Sequence, residues 1–250
     1  MMIALLSLTT ALAATDLKLS TSDGAALHAV GQVSQGSKRG VIFVHQEGRN
    51  ADDWRFLLDR VSKAQFTAVA PDLRGHGAST ATITDADYPK MVEDVRASAV
   101  WLRKQGVTEV TCVGAGVGAN LCAQVAASDP NMVNLVLLSA GMNIKGVTAG
   151  DAVQRYGDRP VLIVASSGDA QGKATATVLN NVAQGQKQLE MLPGAARGTK
   201  MLNDNAGLEG LVFSWIAGTY TLAGGELVNP KPSSSDPGSV QTTGKAIGDK

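Results

Sequence analysis

Hydrophobic positions along this chain follow two alternating patterns. Continuous apolar runs occupy residues 40–45 (GVIFVH), 66–70 (FTAVA), 109–113 (EVTCV), 134–139 (NLVLLS) and 160–166 (PVLIVAS). Such runs lack a polar face, as strands do when a parallel sheet is covered on both sides. Residues 188–192 predict a further strand, and 16–20 with 25–32 predict an opening hairpin about Ser22-Asp23-Gly24. Segments of helical period stand between the strands, at 52–64, 88–105, 117–128, 172–184 and 201–218. The clearest, 88–105, has Met91, Val95, Val100 and Leu102 as its predicted apolar side. Strands alternating with helices predict an α/β fold with a mainly parallel central sheet and helices on both faces. Residues 140–158 are the only room for a lid, so little or no cap domain is expected.

The ends differ from this pattern. Residues 1–14 (MMIALLSLTTALAA) read as a signal peptide, with an apolar core at 3–8 and a small-x-small cleavage site at Ala11-Leu12-Ala13. No Lys or Arg precedes the core, so a frayed apolar terminus is the alternative. The stretch is too short to span a bilayer, and no cysteine follows it to carry a lipid. A leader implies a secreted or periplasmic protein; without it the location is cytoplasmic. Residues 221–250 are rich in Gly, Pro and Ser and predict a disordered tail. A single domain over residues 15–220 remains.

Composition narrows the function classes. Formal net charge is zero and aromatics are 4% of 250 residues, so neither a basic face nor a base-stacking surface is implied and nucleic acid is not an expected partner. Cys112 and Cys122 are the only cysteines. The former falls on a predicted strand and the latter on the next helix. With axes about 10 Å apart a bond is geometrically marginal, and two buried thiols are expected. His28, His45 and His76 are scattered among unclustered carboxylates, which offers no metal-ligand set.

The chemistry-bearing residues stand at strand ends. Asp72-Leu73-Arg74-Gly75-His76-Gly77-Ala78-Ser79 follows a buried strand directly. Here the chain resembles the α/β-hydrolase superfamily, most closely its small capless esterase and dienelactone-hydrolase-like members, over nearly all of residues 25–220. The resemblance implies an α/β-hydrolase fold, and a structural, loop-holding role for His76 and its neighbours Asp72, Arg74, Gly75 and Gly77. It also implies that His45-Gln46-Glu47-Gly48-Arg49 supplies part of an oxyanion hole, from the backbone N–H groups of Gln46 and Val117. The nucleophile of that family stands in a G-x-S-x-G turn; this chain reads Gly114-Ala115-Gly116-Val117-Gly118, with Gly116 in place of the serine. Asp169, after the 160–166 strand, matches the acid position. Arg197 in Gly194-Ala195-Ala196-Arg197-Gly198-Thr199 falls at the histidine position, and no histidine follows Asp169 anywhere in the chain. A guanidinium cannot accept a proton at neutral pH. Arg197 either reaches Asp169 as an ion pair or points into solvent.

Two other readings of these residues exist. Gly114-Ala115-Gly116-Val117-Gly118-Ala119 also fits a dinucleotide-binding fingerprint. That fingerprint needs an acidic residue about twenty positions on, where Leu137-Leu138-Ser139-Ala140 stand. Ser139, Ser166 or Ser167 could serve as another nucleophile, with Lys200 as base, but none sits in a small-x-small turn into a helix. The resulting expectation is a pseudo-hydrolase without cofactor or metal, binding a small ester or acyl ligand or a protein partner. The alternatives are a weak carboxylic ester hydrolase and a dinucleotide-binding module.

Overall fold

The computed structural model describes residues 13–221. Strands β1 (Thr15–Ser20) and β2 (Ala26–Gln32) form the expected hairpin. Then come β3 (Arg39–Val44), β4 (Thr67–Pro71), β5 (Glu109–Ala115) and β6 (Met132–Leu138). A two-stranded hairpin of β7 (Asn143–Ile144) and β8 (Val147–Thr148) precedes β9 (Val161–Ser166) and β10 (Lys187–Leu192). The eight-stranded sheet has the order β1-β2-β4-β3-β5-β6-β9-β10. β1–β2 and β2–β4 pair antiparallel, and every later pair is parallel. The helices are α1 (Arg55–Lys63), α2 (Val92–Lys104), α3 (Val117–Ala126), α4 (Gly150–Tyr156), α5 (Ala170–Val182), α6 (Lys200–Asp204) and α7 (Leu208–Ala217).

The period-2 alternation of strands divides the core into two layers. Ile42 and Val44 of β3, with Leu135 and Leu137 of β6, face α2 to α5. Val41, Phe43, Val136 and Leu138 face α1, α6 and α7, where Trp54 stacks on Phe43 with ring centroids 5.3 Å apart. Both faces are therefore apolar, which explains the unbroken runs in the sequence. Among the described residues no cap domain stands over the sheet: residues 140–158 supply only the β7–β8 hairpin and α4.

Three expectations need correction. Val100 is 47% exposed. Met91, Val95 and Leu102 recur at helical spacing on one face, whereas Val100 is five residues from Val95 and turns about 140° away. The helix expected over 201–218 is two helices, because Asn205 is extended (φ −135°, ψ 100°). Cys112 and Cys122 are joined by a disulfide with Cα atoms 5.7 Å apart. The estimate of about 10 Å took ordinary helix-on-sheet spacing. Here α3 lies against the strands closely enough that a Cβ on Gly118 would stand 2.3 Å from the Val44 carbonyl, and one on Gly114 2.3 Å from the Gly118 carbonyl. The expected leader and tail fall outside the described residues except for Ala13, Ala14 and Thr221. Among the described residues no helix is long and apolar enough to cross a membrane.

Candidate functional site

The carboxyl ends of β3, β5, β6 and β9 converge on a cleft of about 460 Å³. Gln46, Gly116, Val117 and Arg197 all line it, together with Ser139, Ile144 and Lys145. Gly116 sits between β5 and α3 with φ 53° and ψ −121°, a left-handed conformation that glycine adopts at little cost. The sharp strand-to-helix turn of a nucleophile elbow is therefore present without a side chain at its apex. Its N–H donates to the Leu138 carbonyl at 2.9 Å, tying the elbow to β6. Among the described residues neither the Gln46 nor the Val117 N–H donates to a protein acceptor.

The loop after β9 and the loop after β10 are bound together. Ser167 N–H donates to the Leu192 carbonyl at 2.8 Å, and Gly168 N–H to the Gly194 carbonyl at 2.7 Å. This brings Arg197 to Asp169, with Nε 2.9 Å from Oδ2. Asp169 also caps α5, accepting from Gly172 N–H at 3.1 Å. Of the two arrangements open from sequence, the ion pair is the one formed. The arginine side chain is 55% exposed and that of Asp169 only 11%. An exposed pair of this kind contributes about 0–1 kcal/mol. The pair fixes orientation more than it stabilises.

One important element escaped the sequence. The Gln46 side chain crosses from the oxyanion loop to the 198–199 turn, where its Oε1 accepts from Thr199 N–H at 3.1 Å. It fills the slot between the loops: a Cβ on Gly198 would lie 1.3 Å from Gln46 Oε1, and one on Gly116 2.9 Å from Gln46 Cβ. Thr199 is held in turn by Asp53, whose carboxylate accepts its hydroxyl at 2.7 Å and pairs with Arg49. No short motif announces a side chain that spans loops over 150 residues apart.

The cleft rim is ionic. Lys145 pairs with Glu47 and, at 2.8 Å, with Asp85, while the Tyr88 hydroxyl donates to Glu47 at 2.8 Å. The carboxylates hold the lysine's pKa above its usual range. Lys145 holds the Glu47 carboxyl below its own, and burial raises the Tyr88 hydroxyl. Each group thus keeps its ordinary neutral-pH form more firmly, which unsuits all three for proton transfer. Ser139 has φ 51°; its hydroxyl donates to Met201 Sδ at 3.0 Å and accepts from Gly198 N–H at 2.9 Å. The Ser166 hydroxyl donates to the Ala196 carbonyl at 2.6 Å. Among the described residues no lysine stands within hydrogen-bond distance of either hydroxyl, so neither has the base that a serine–lysine mechanism needs.

The Asp72–Ser79 segment holds loops together. Asp72 accepts from Ala51 N–H, Ala78 N–H and His28 Nδ1 at 2.7–2.8 Å. A Cβ on Gly77 would stand 2.3 Å from Asp72 Oδ2. Gly75 accommodates φ 73°. Arg74 binds Asp94 through Nε at 2.8 Å and Asp23 through Nη1 at 2.7 Å. His76 Nδ1 lies 3.1 Å from the Arg74 carbonyl, and its ring is 5.2 Å from that of His45. His45 is buried and neutral. Its Nε2 accepts from Leu73 N–H at 2.9 Å, which leaves Nδ1 to donate to the Gln46 carbonyl at 2.8 Å. Burial brings its pKa down to about 4.

An open, mainly parallel sheet with a strand-elbow-helix turn at its centre defines the α/β-hydrolase architecture, and the comparisons agree. The family model for the alpha/beta hydrolase fold matches residues 40–170. The chain belongs to that family. It is 33% identical over 118 residues to the dihydrolipoyllysine-residue acetyltransferase component of an acetoin cleaving system from Cupriavidus necator, an alignment covering 47% of this chain and 29% of that one. The chain thus spans under a third of that relative's length. Among solved structures it resembles a dienelactone hydrolase from Anabaena variabilis (TM-score 0.66, 16% identity, covering 82% of this chain and 98% of the other). It also resembles an enol-lactonase from Burkholderia xenovorans (TM-score 0.67, 12% identity, 80% and 100% covered). At such identities these structures speak for the fold alone.

Proposed function

We propose that this chain is a non-hydrolytic α/β-hydrolase-fold protein that uses the cleft to bind a small acyl-type ligand. One observation carries the reading: the elbow keeps its backbone turn at Gly116 while Arg197 lies against Asp169 where a histidine would stand. Nucleophilic acyl transfer needs an attacking side chain and a base that can take its proton. Glycine offers no nucleophile and arginine no base. Binding in the crevice at the carboxyl ends of the strands is the general property of open α/β sheets and survives these changes. Asp169 then acts as a helix cap and a partner for Arg197. The Cys112–Cys122 bond supports an oxidising compartment, in keeping with export. A protein partner at the same face is the further alternative.

Incubation with p-nitrophenyl acetate and butyrate should give rates at the buffer background, and a fluorophosphonate probe should leave every serine unlabelled. Stoichiometric labelling of the folded protein would end this reading. A second reading retains weak hydrolysis, favoured by the unpaired Gln46 and Val117 N–H groups. Such donors alone can leave about 10³–10⁴-fold over water. Turnover above background without probe labelling would select it.

A further inference from the structure

We infer that the cleft is built for a carboxylate: it holds a small monocarboxylic acid with a short apolar body, the class that ester hydrolysis releases, in preference to an ester. The inference rests on the non-hydrolytic reading above and names the ligand class of that same site.

Arg197 supplies the charge. Among the described residues its ion-pair contact is through Nε, 2.9 Å from Asp169 Oδ2, and no hydrogen bond from either Nη is found. The guanidinium is half-exposed and lines the cleft, so the two Nη groups remain as a planar pair of donors. Such a fork matches the two oxygens of a carboxylate. The partner carboxylate does not cancel this for a ligand. Asp169 is outside the cleft lining and its side chain is turned into the first turn of α5, where it accepts from Gly172 N–H. Gln46 and Val117 line the same cleft, and their N–H groups have no acceptor among the described residues. Charged and neutral donors thus belong to residues lining one small space. Lys145 adds a second cation to the lining against the single carboxylate of Glu47; Asp85, its other partner, is 74% exposed and open to screening.

The rest of the wall sets size and selectivity. Val117, Ala140 and Ile144 supply a short apolar surface for an alkyl body. The Gln46 side chain, bridged to Thr199, occupies the space between Gly116 and the 198–199 turn. This leaves less room beside Gly116 for an ester's alkoxy group than for a bare carboxylate oxygen. An ester also carries no charge with which to meet Arg197, and no donors suit it better than the acid. In an active relative of this fold a histidine at this position would be uncharged at working pH. Arginine at 197 gives the site a fixed cation instead, which favours holding the acid over releasing it.

The experiment is titration of the full chain with sodium butyrate, methyl butyrate, butyramide and sodium phosphate. Heat of binding is followed together with the backbone amide signals of Gln46 and Val117. Butyrate is expected to saturate and to shift both amides, with the two neutral analogues and phosphate at least about tenfold weaker. Arg197→Gln should weaken butyrate by about ten- to a hundredfold, the range for loss of a charge-assisted bond, while Arg197→Lys recovers part. The exposure of Arg197 means that the fold should persist, and the melting temperature of each variant verifies it. Equal affinity for butyrate and its intact ester, an unchanged Arg197→Gln affinity, equal binding of phosphate, or no binding of butyrate by the wild type would each overturn the carboxylate inference. Hydrolysis of methyl butyrate would instead strike the non-hydrolytic reading, so the two failures are told apart.

Discussion

At the scale of single residues, the cleft is governed by a side chain that sequence reasoning used only for its backbone. Gln46 was expected to contribute an N–H; its side chain fills the space between Gly116 and the 198–199 turn. A serine introduced at Gly116 would need φ near 53° and a Cβ 2.9 Å from Gln46 Cβ. Strain of this kind costs about 1–3 kcal/mol per residue. Gly116→Ser with Arg197→His should therefore remain inactive in a p-nitrophenyl acetate assay, whereas adding Gln46→Gly, which removes the obstructing Cβ, should produce turnover and fluorophosphonate labelling at residue 116. Activity in the double variant equal to that of the triple would show that Gln46 does not obstruct the slot. Gly116, Asp169 and Arg197 were legible because each sits at a fixed place after a strand. The path of the Gln46 side chain was not, since it depends on how closely loops distant in sequence approach.

At the scale of elements, the β5–elbow–α3 unit combines a legible turn with a distance that was not legible. The glycines were visible as turn residues, but their second use, bringing helix and strand backbones into contact, sets the Cα separation of 5.7 Å that permits the disulfide. Sequence alone gave ordinary spacing and hence two thiols. The bond closes a loop of sequence separation 10, for which chain entropy gives a stabilisation of about 3 kcal/mol. Replacing both cysteines by alanine should lower the unfolding free energy in urea by at least that amount, since two fully buried sulfurs are also lost. Unfolded, unreduced protein should take up no iodoacetamide and reduced protein two equivalents; alkylation before reduction would refute the pairing. The division of residues 201–218 into α6 and α7 follows a similar logic. Asn205-Ala206-Gly207 carried turn residues, yet the apolar period on either side continued across them.

At the scale of the whole molecule, the sheet was the most legible part, because burial on both faces leaves strands without polar positions. The same burial makes stability pH-dependent. His45, at 0% exposure, binds a proton in the folded protein only below about 4, whereas an unfolded chain does so below about 6.5. Between those values the unfolded state carries more protons, so this residue's contribution is full above about 6.5 and is lost as pH falls towards 4, by about 3 kcal/mol. Urea unfolding at pH 7 and pH 4 should show His45→Gln losing less on acidification than the wild type. Imidazole nitrogen shifts should still report a neutral His45 ring at pH 5; a charged ring there would contradict the burial argument. The two-layer core also distributes the aromatic residues unevenly. Trp54 and Trp215, both fully buried, belong to the layer beneath α1, α6 and α7, while Trp101 packs partly buried against the other. Intrinsic fluorescence is consequently a one-sided reporter: its blue-shifted emission follows the melting of a single layer, and an excited-state quencher dissolved in water meets Trp101 first.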